Sequence, residues 1–232
     1  MKKYIVHFVL GFALLSSVTA SAQTFNLSDI KYWVGSGTNE AAFVVAWNDG
    51  NTPDSLVWGY KWSGTAPTVF GMMQAIEAAD SRFSFTAHPF YPDQSIYSVY
   101  YDLTGLGGTP VVGTPALFFG APNTENGSPP YPGDHYKEGW IYNGFWGELI
   151  GNGNPYSGGS WDSSYPTVQG VGVDTLTNNS WYGASFSTDL TSYSIPDPGF
   201  PTAVTTAPEP SAVCLLALGA LGLVTNRRRR RS

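Results

Sequence analysis

Residues 41–47 read Ala-Ala-Phe-Val-Val-Ala-Trp with no polar break, the pattern of a buried-type strand. Asn48-Asp49-Gly50-Asn51 follows as a turn, because Asp-Gly readily takes the positive φ values of tight hairpins. From Leu56 to Trp62 the period becomes two: Leu56, Trp58, Tyr60 and Trp62 share one face, and Val57, Gly59 and Lys61 the other. Between Thr68 and Ala79 the period lengthens to that of a helix. Val69, Met72, Met73, Ile76 and Ala79 form one apolar stripe, with Thr65 or Thr68 as cap and Pro67 suited to a first turn. A helix so built is expected to cover a sheet.

Further strands are expected at 83–85, 95–101, 111–119, 140–150, 171–173 and 181–187. The Pro/Gly/Asn-rich stretches 122–139 and 152–167 read as long loops, and 194–207, with three prolines, as a linker. These patterns predict a β-rich α+β domain: an antiparallel sheet covered by one amphipathic helix, with long Gly/Pro loops. An all-β sandwich is the alternative.

Both ends of the chain carry targeting signals. Lys2 and Lys3, an apolar run from Ile5 to Leu15, and the small residues Ala20-Ser21-Ala22 form a secretory signal peptide over residues 1–22, removed by signal peptidase. The mature domain then occupies 23–193 and the linker 194–207. Residues 208–232 contain, in order, Pro208-Glu209-Pro210, an uncharged Ala/Leu/Val/Gly stretch, and Arg227, Arg228, Arg229, Arg230 and Arg231. A helix over 211–225 is about 22 Å long, short of a hydrocarbon core of about 30 Å, so it needs thinning or snorkelling flanks to span. The arginines hold its end on the cytoplasmic side, which leaves the domain outside the inner membrane. Cys214 lies in this helix as an apolar filler or a lipidation candidate.

The order Pro-Glu-Pro, short apolar helix, terminal arginine cluster resembles the PEP-CTERM sorting tail of Gram-negative bacteria. The resemblance implies recognition by an exosortase, a membrane transpeptidase-like protease that cuts near Pro-Glu-Pro. It also implies a precursor anchored in the inner membrane, then a cell-surface or matrix location. Residues 32–41, Trp47-Asn48-Asp49-Gly50, 56–62, 72–76, Ala79-Asp80-Ser81-Arg82, Gly144-Phe145-Trp146-Gly147 and 176–181 also resemble an uncharacterised domain of bacterial surface proteins. The segment Gly139-Trp140-Ile141-Tyr142-Asn143-Gly144, after two strands and a helix, is similar in a weaker way to the β-grasp domain of transcobalamin-like proteins.

Charge sharpens this picture. Lys31, Lys61, Arg82 and Lys137 are the only cations of residues 23–207, domain and linker together, and of the 17 acidic residues only Glu209 falls outside that stretch. Four positive charges thus stand against sixteen negative ones, a net charge near −12 that the tail arginines mask in the whole-chain value of −6. Such a domain is a poor partner for nucleic acid or anionic lipid. It has no cysteine, which excludes thiol catalysis, zinc–cysteine sites and iron–sulfur clusters.

Catalytic constellations are sparse. Only His88 and His135 remain as histidines, and neither lies near a serine motif; no His-Glu-x-x-His occurs. Glu138 with Glu148, or Asp49 with Asp54, are formal carboxylate pairs for glycoside hydrolysis. Asn48, Asp49, Asn51 and Asp54 place oxygen ligands on one turn, a candidate calcium loop whose alternative is an Asx-stabilised hairpin turn. Trp33, Trp47 and Trp58 are expected in the core, and Trp140, Trp146 and Trp161 as aromatic platforms for a sugar face or a flat ligand. The expectation is a non-catalytic envelope or matrix component contacting exopolysaccharide. A carbohydrate- or cofactor-binding module comes second, and a glycoside hydrolase third.

Overall fold

The computed structural model describes residues 23–90, 93–112, 127–139, 144–162 and 171–206. The expected helix at 211–225 and the signal peptide lie outside these, as do most of the expected strand at 111–119 and residues 140–143 of the strand expected at 140–150. No helix among the described residues is long and apolar enough to cross a membrane.

The described elements are β1 (Trp33–Gly35), β2 (Asn39–Ala46), β3 (Ser55–Trp62), α1 (Val69–Ala79), β4 (Phe83–Phe90), β5 (Asp93–Tyr101), β6 (His135–Glu138), β7 (Phe145–Asn152), β8 (Ser160–Asp162), β9 (Ser180–Ser187) and β10 (Thr202–Ala203). They form two sheets. The larger runs β1-β3-β2-β9-β7-β8, and β10 joins the same side of β3 as β1, at Leu56 and Val57. The smaller is an antiparallel β4-β5-β6 meander, with a register irregularity between Thr86 and Ala87.

The antiparallel sheet expected from sequence is therefore corrected to a mixed one. β2 pairs antiparallel with β3 but parallel with β9, and both β1 and β10 run parallel to β3. Parallel partners far apart in sequence leave no local signal, since hairpin chemistry marks only adjacent strands.

Both faces of the large sheet are covered, which accounts for the unbroken apolar run of β2. On the inner face, Ala41, Phe43, Val45, Trp47, Leu56, Trp58, Tyr182, Ala184 and Phe186 join one core. That core includes Val69, Met72, Met73 and Ile76 of α1, and also Phe83, Ile96, Val99 and Tyr101 of the second sheet. The helix thus covers only part of this face; the meander covers the rest, as in the sandwich alternative. Trp47 Nε1 donates across the gap to the Val99 carbonyl at 3.0 Å. On the outer face, Ala42, Val44, Val57 and Trp181 lie under Phe25, Ile30, Leu27, Trp33, Tyr156 and Trp161.

Three expectations about loops and strands are overturned. Residues 171–173 are a turn, not a strand: the carbonyls of Val171 and Asp174 accept from Phe70 and Val69, first-turn N–H groups that a helix leaves unpaired. Thr68 caps the same end, accepting from the Gly71 N–H at 3.1 Å. The stretch 122–139, expected to be a loop throughout, ends in β6, where His135 and Lys137 alternate with Tyr136 and Glu138. The loop carrying Trp161 contains β8.

The segment 194–207, expected to be a linker, is built into the domain through Thr205. Ile195 is buried over Gly147, where an added Cβ would meet its side chain at 2.2 Å. The Gly199 carbonyl accepts from Ser55 Oγ at 3.0 Å, and Phe200 makes edge contacts with Phe25 and Tyr156. Prolines spare this segment N–H groups that an edge position would leave unpaired.

Candidate functional site

The turn between β2 and β3 is closed from within. Asn48 (φ 50°) and Gly50 (φ 84°) supply the left-handed conformations, and Asp49 accepts from the Asn51 N–H at 3.0 Å, an Asx turn. Asp49 also meets His135 of β6, with Nδ1 at 3.2 and 3.1 Å from its two oxygens. A carboxylate can only accept, so Nδ1 carries the proton in this pair. Burial would raise the Asp49 carboxyl, but hydrogen bonds from His135 and Asn51 outweigh it and hold the group below the ordinary carboxylate value.

The candidate calcium ligands are divided among other tasks. Asn48 Nδ2 donates to Ser185 Oγ and the Phe186 carbonyl, at 3.1 and 2.7 Å. Asn51 Nδ2 donates to the Asp134 carbonyl at 3.0 Å, and Asp54 lies exposed beside Gly199. Among the described residues no cluster of three or more His, Cys, Asp or Glu side chains is disposed to hold a metal ion.

His135 supplies part of a hydrolytic constellation that sequence could not assemble, since 86 residues separate it from Asp49. The imidazole is 0% exposed, and Nε2 is buried with no hydrogen-bond partner. His88 stands on β4. Of the formal carboxylate pairs, Glu138 stands on β6 and Glu148 on β7, while Asp49 and Asp54 stand in the turn between β2 and β3. Glu138 shares a face of β6 with Tyr136, whose hydroxyl donates to it at 2.5 Å, and it also accepts from the Gly127 N–H. Glu148 lies on β7, opposite Ala184 of β9. Asp49 turns to His135 while Asp54 faces solvent.

The three aromatic candidates do not form one platform. Trp140 lies outside the described residues. Trp146 is in the inner core, donating to the Lys137 carbonyl at 3.3 Å and meeting Phe186 edge-on. Trp161 is on the opposite face, over Gly183 and edge-on to Tyr156. Trp47 and Trp58 are fully buried, as expected; Trp33 is half-buried and lies flat on Gly59.

Beside the first half of β3 a different cluster holds the last described residues of the chain. Asp80, 2% exposed, accepts from Trp58 Nε1 at 3.1 Å and takes a bidentate pair from Arg82, at 2.8 and 2.9 Å. Arg82 also lies over the Tyr101 ring, 5.3 Å from its centroid, and donates through Nη2 to the Thr205 carbonyl at 2.6 Å. One residue earlier, the Val204 N–H donates to the Val57 carbonyl at 3.1 Å. Sequence reasoning missed this cluster; its signal was that Arg82 is the single arginine of the mature domain. A planar fork suits one carboxylate and one carbonyl together.

Residues 206–231, which begin immediately after Thr205, match the PEP-CTERM protein-sorting motif. That motif marks a protein for exosortase processing and for export to the cell envelope or surface. Searches among curated proteins and among solved structures gave no match, so the β-grasp likeness gains no support.

Proposed function

We propose that this chain is a non-catalytic component of the cell surface or extracellular matrix, delivered by signal peptidase and exosortase and held in the inner membrane until its tail is cut. The observation that carries this reading is the sorting motif at 206–231, set directly behind a folded domain. The polar groups of the domain favour a structural part. Asp49 is taken up by His135 and Asn51, and Asp80 by Trp58 and Arg82. With net charge near −12, the domain is kept soluble and apart from other acidic surfaces, which suits a hydrated matrix of uncharged exopolysaccharide.

Mass spectrometry of the protein recovered from the cell surface, in a host with an exosortase, tests the reading. The expected mass lacks residues 1–22 and everything from the apolar stretch after Pro210 onward. Surface protein with an intact tail overturns it.

A further inference from the structure

The last described residues before the sorting signal form a strand of the domain. β10 pairs with β3 at Leu56 and Val57, Val204 is 2% exposed, and Thr205 is held by Arg82. Arg82 is in turn fixed by a carboxylate that is itself buried and bonded to Trp58. Pro208 is three residues beyond Thr205, a reach of about 10 Å at full extension. A protease embedded in the membrane takes its substrate as extended chain, and this tether leaves it only Thr206 and Ala207 ahead of Pro208-Glu209-Pro210.

We propose that the Arg82–Thr205 clamp and the β10 pairing form a latch that limits tail removal: the exosortase takes the Pro-Glu-Pro segment when residues 202–206 have come off the edge of β3. A short set of contacts holds this edge, namely two paired residues, the Val204 N–H bond to Val57, the buried Val204 side chain and one charge-assisted hydrogen bond beyond them, so it opens before the domain unfolds. Cleavage then follows the population of the opened edge. A domain that has not closed its C-terminal edge is processed fast, and a closed one slowly. This rests on the exosortase reading above.

The test is a pulse-chase measurement of tail loss in an exosortase-bearing host, with four full-length chains. These are the wild type, a variant with about eight Gly/Ser residues inserted between Thr206 and Ala207, Arg82→Ala, and the insertion combined with Arg82→Ala. The insertion leaves every contact of the domain in place, so its result does not depend on how well Arg82→Ala folds. Arg82→Ala is expected to speed processing roughly tenfold, the factor that one charge-assisted hydrogen bond imposes on an opening equilibrium, and the insertion, which bypasses the closed edge altogether, at least as much. Arg82→Ala should add nothing in the chain with the insertion. Equal rates for wild type and insertion overturn the latch and leave the exosortase reading intact. Tails retained in all four chains overturn that reading, and the latch with it.

Discussion

The imidazole of His135 stacks on the indole of Trp47, with ring centroids 4.5 Å apart and planes 14° from parallel. The contact joins the two sheets, since Trp47 follows β2 and His135 opens β6. It also places Nδ1 at Asp49, two residues beyond Trp47, so the turn after β2 is tied to the meander by a stack and a hydrogen bond at once. His135→Ala is therefore expected to cost about 2–4 kcal/mol, for a buried acceptor left without its donor and a lost ring stack. Urea denaturation at neutral pH measures it, and a cost under about 1 kcal/mol would show that the pair is not structural.

The same pair has a pH signature. The folded Asp49 carboxyl lies below its ordinary value of 3.8, so its stabilising contribution is full above that value and is lost as pH falls through the lower, folded one. The stability gap between wild type and Asp49→Asn should be constant from neutral pH down to about pH 4 and then narrow. Denaturation curves of both proteins at a series of pH values check the sign; a gap that widens in acid contradicts it.

Calcium is expected to leave the melting temperature unchanged at millimolar concentration, because Asp49 is already bonded to His135 and Asn51. Differential scanning calorimetry with calcium and with chelator decides this. A rise with calcium that disappears in Asp49→Ala would establish the metal site instead.

Met72, Met73 and Ile76 are wholly buried on the inner side of α1, whereas Gln74 is exposed. Ile76→Ala should cost about 2–5 kcal/mol. Gln74→Ala should stay within about 0.5 kcal/mol. Equal, mild effects in chemical denaturation would mean that the helix is not a core element.

Gly59 of β3 lies beneath Trp33, and a Cβ there would come within 2.3 Å of the indole ring. The backbone N–H of Gly59 also donates to the Tyr32 carbonyl at 2.9 Å, which holds β1 close. Gly59→Ala should destabilise by about 1–3 kcal/mol, as overpacking does. It should also raise the intrinsic fluorescence change on mild heating as Trp33 lifts away. Gly50→Ala adds a Cβ in open space, so its cost comes only from the positive φ and serves as the contrast.

Local order was legible along the chain wherever the period of apolar positions was unbroken. The strands around 41–47 and 56–62, the hairpin at Asp49-Gly50 and the helix at 69–79 needed only near neighbours to specify them. The sorting tail was legible for the same reason, being a linear signal read in order. Tertiary structure decided whatever depended on distant residues. β9 was placed parallel to β2 across more than a hundred residues, a pairing with no turn to announce it. Asp49 became the acceptor of an inter-sheet hydrogen bond because β6 presents His135 there, and the proline-rich 194–206 became a packed edge because β3 offered it N–H and C=O groups along one side. Trp146 and Trp161 were alike in sequence, aromatic residues in sparse surroundings. The sheet placed them on opposite faces, because period-two strands divide their side chains between two layers and only the fold determines what covers each.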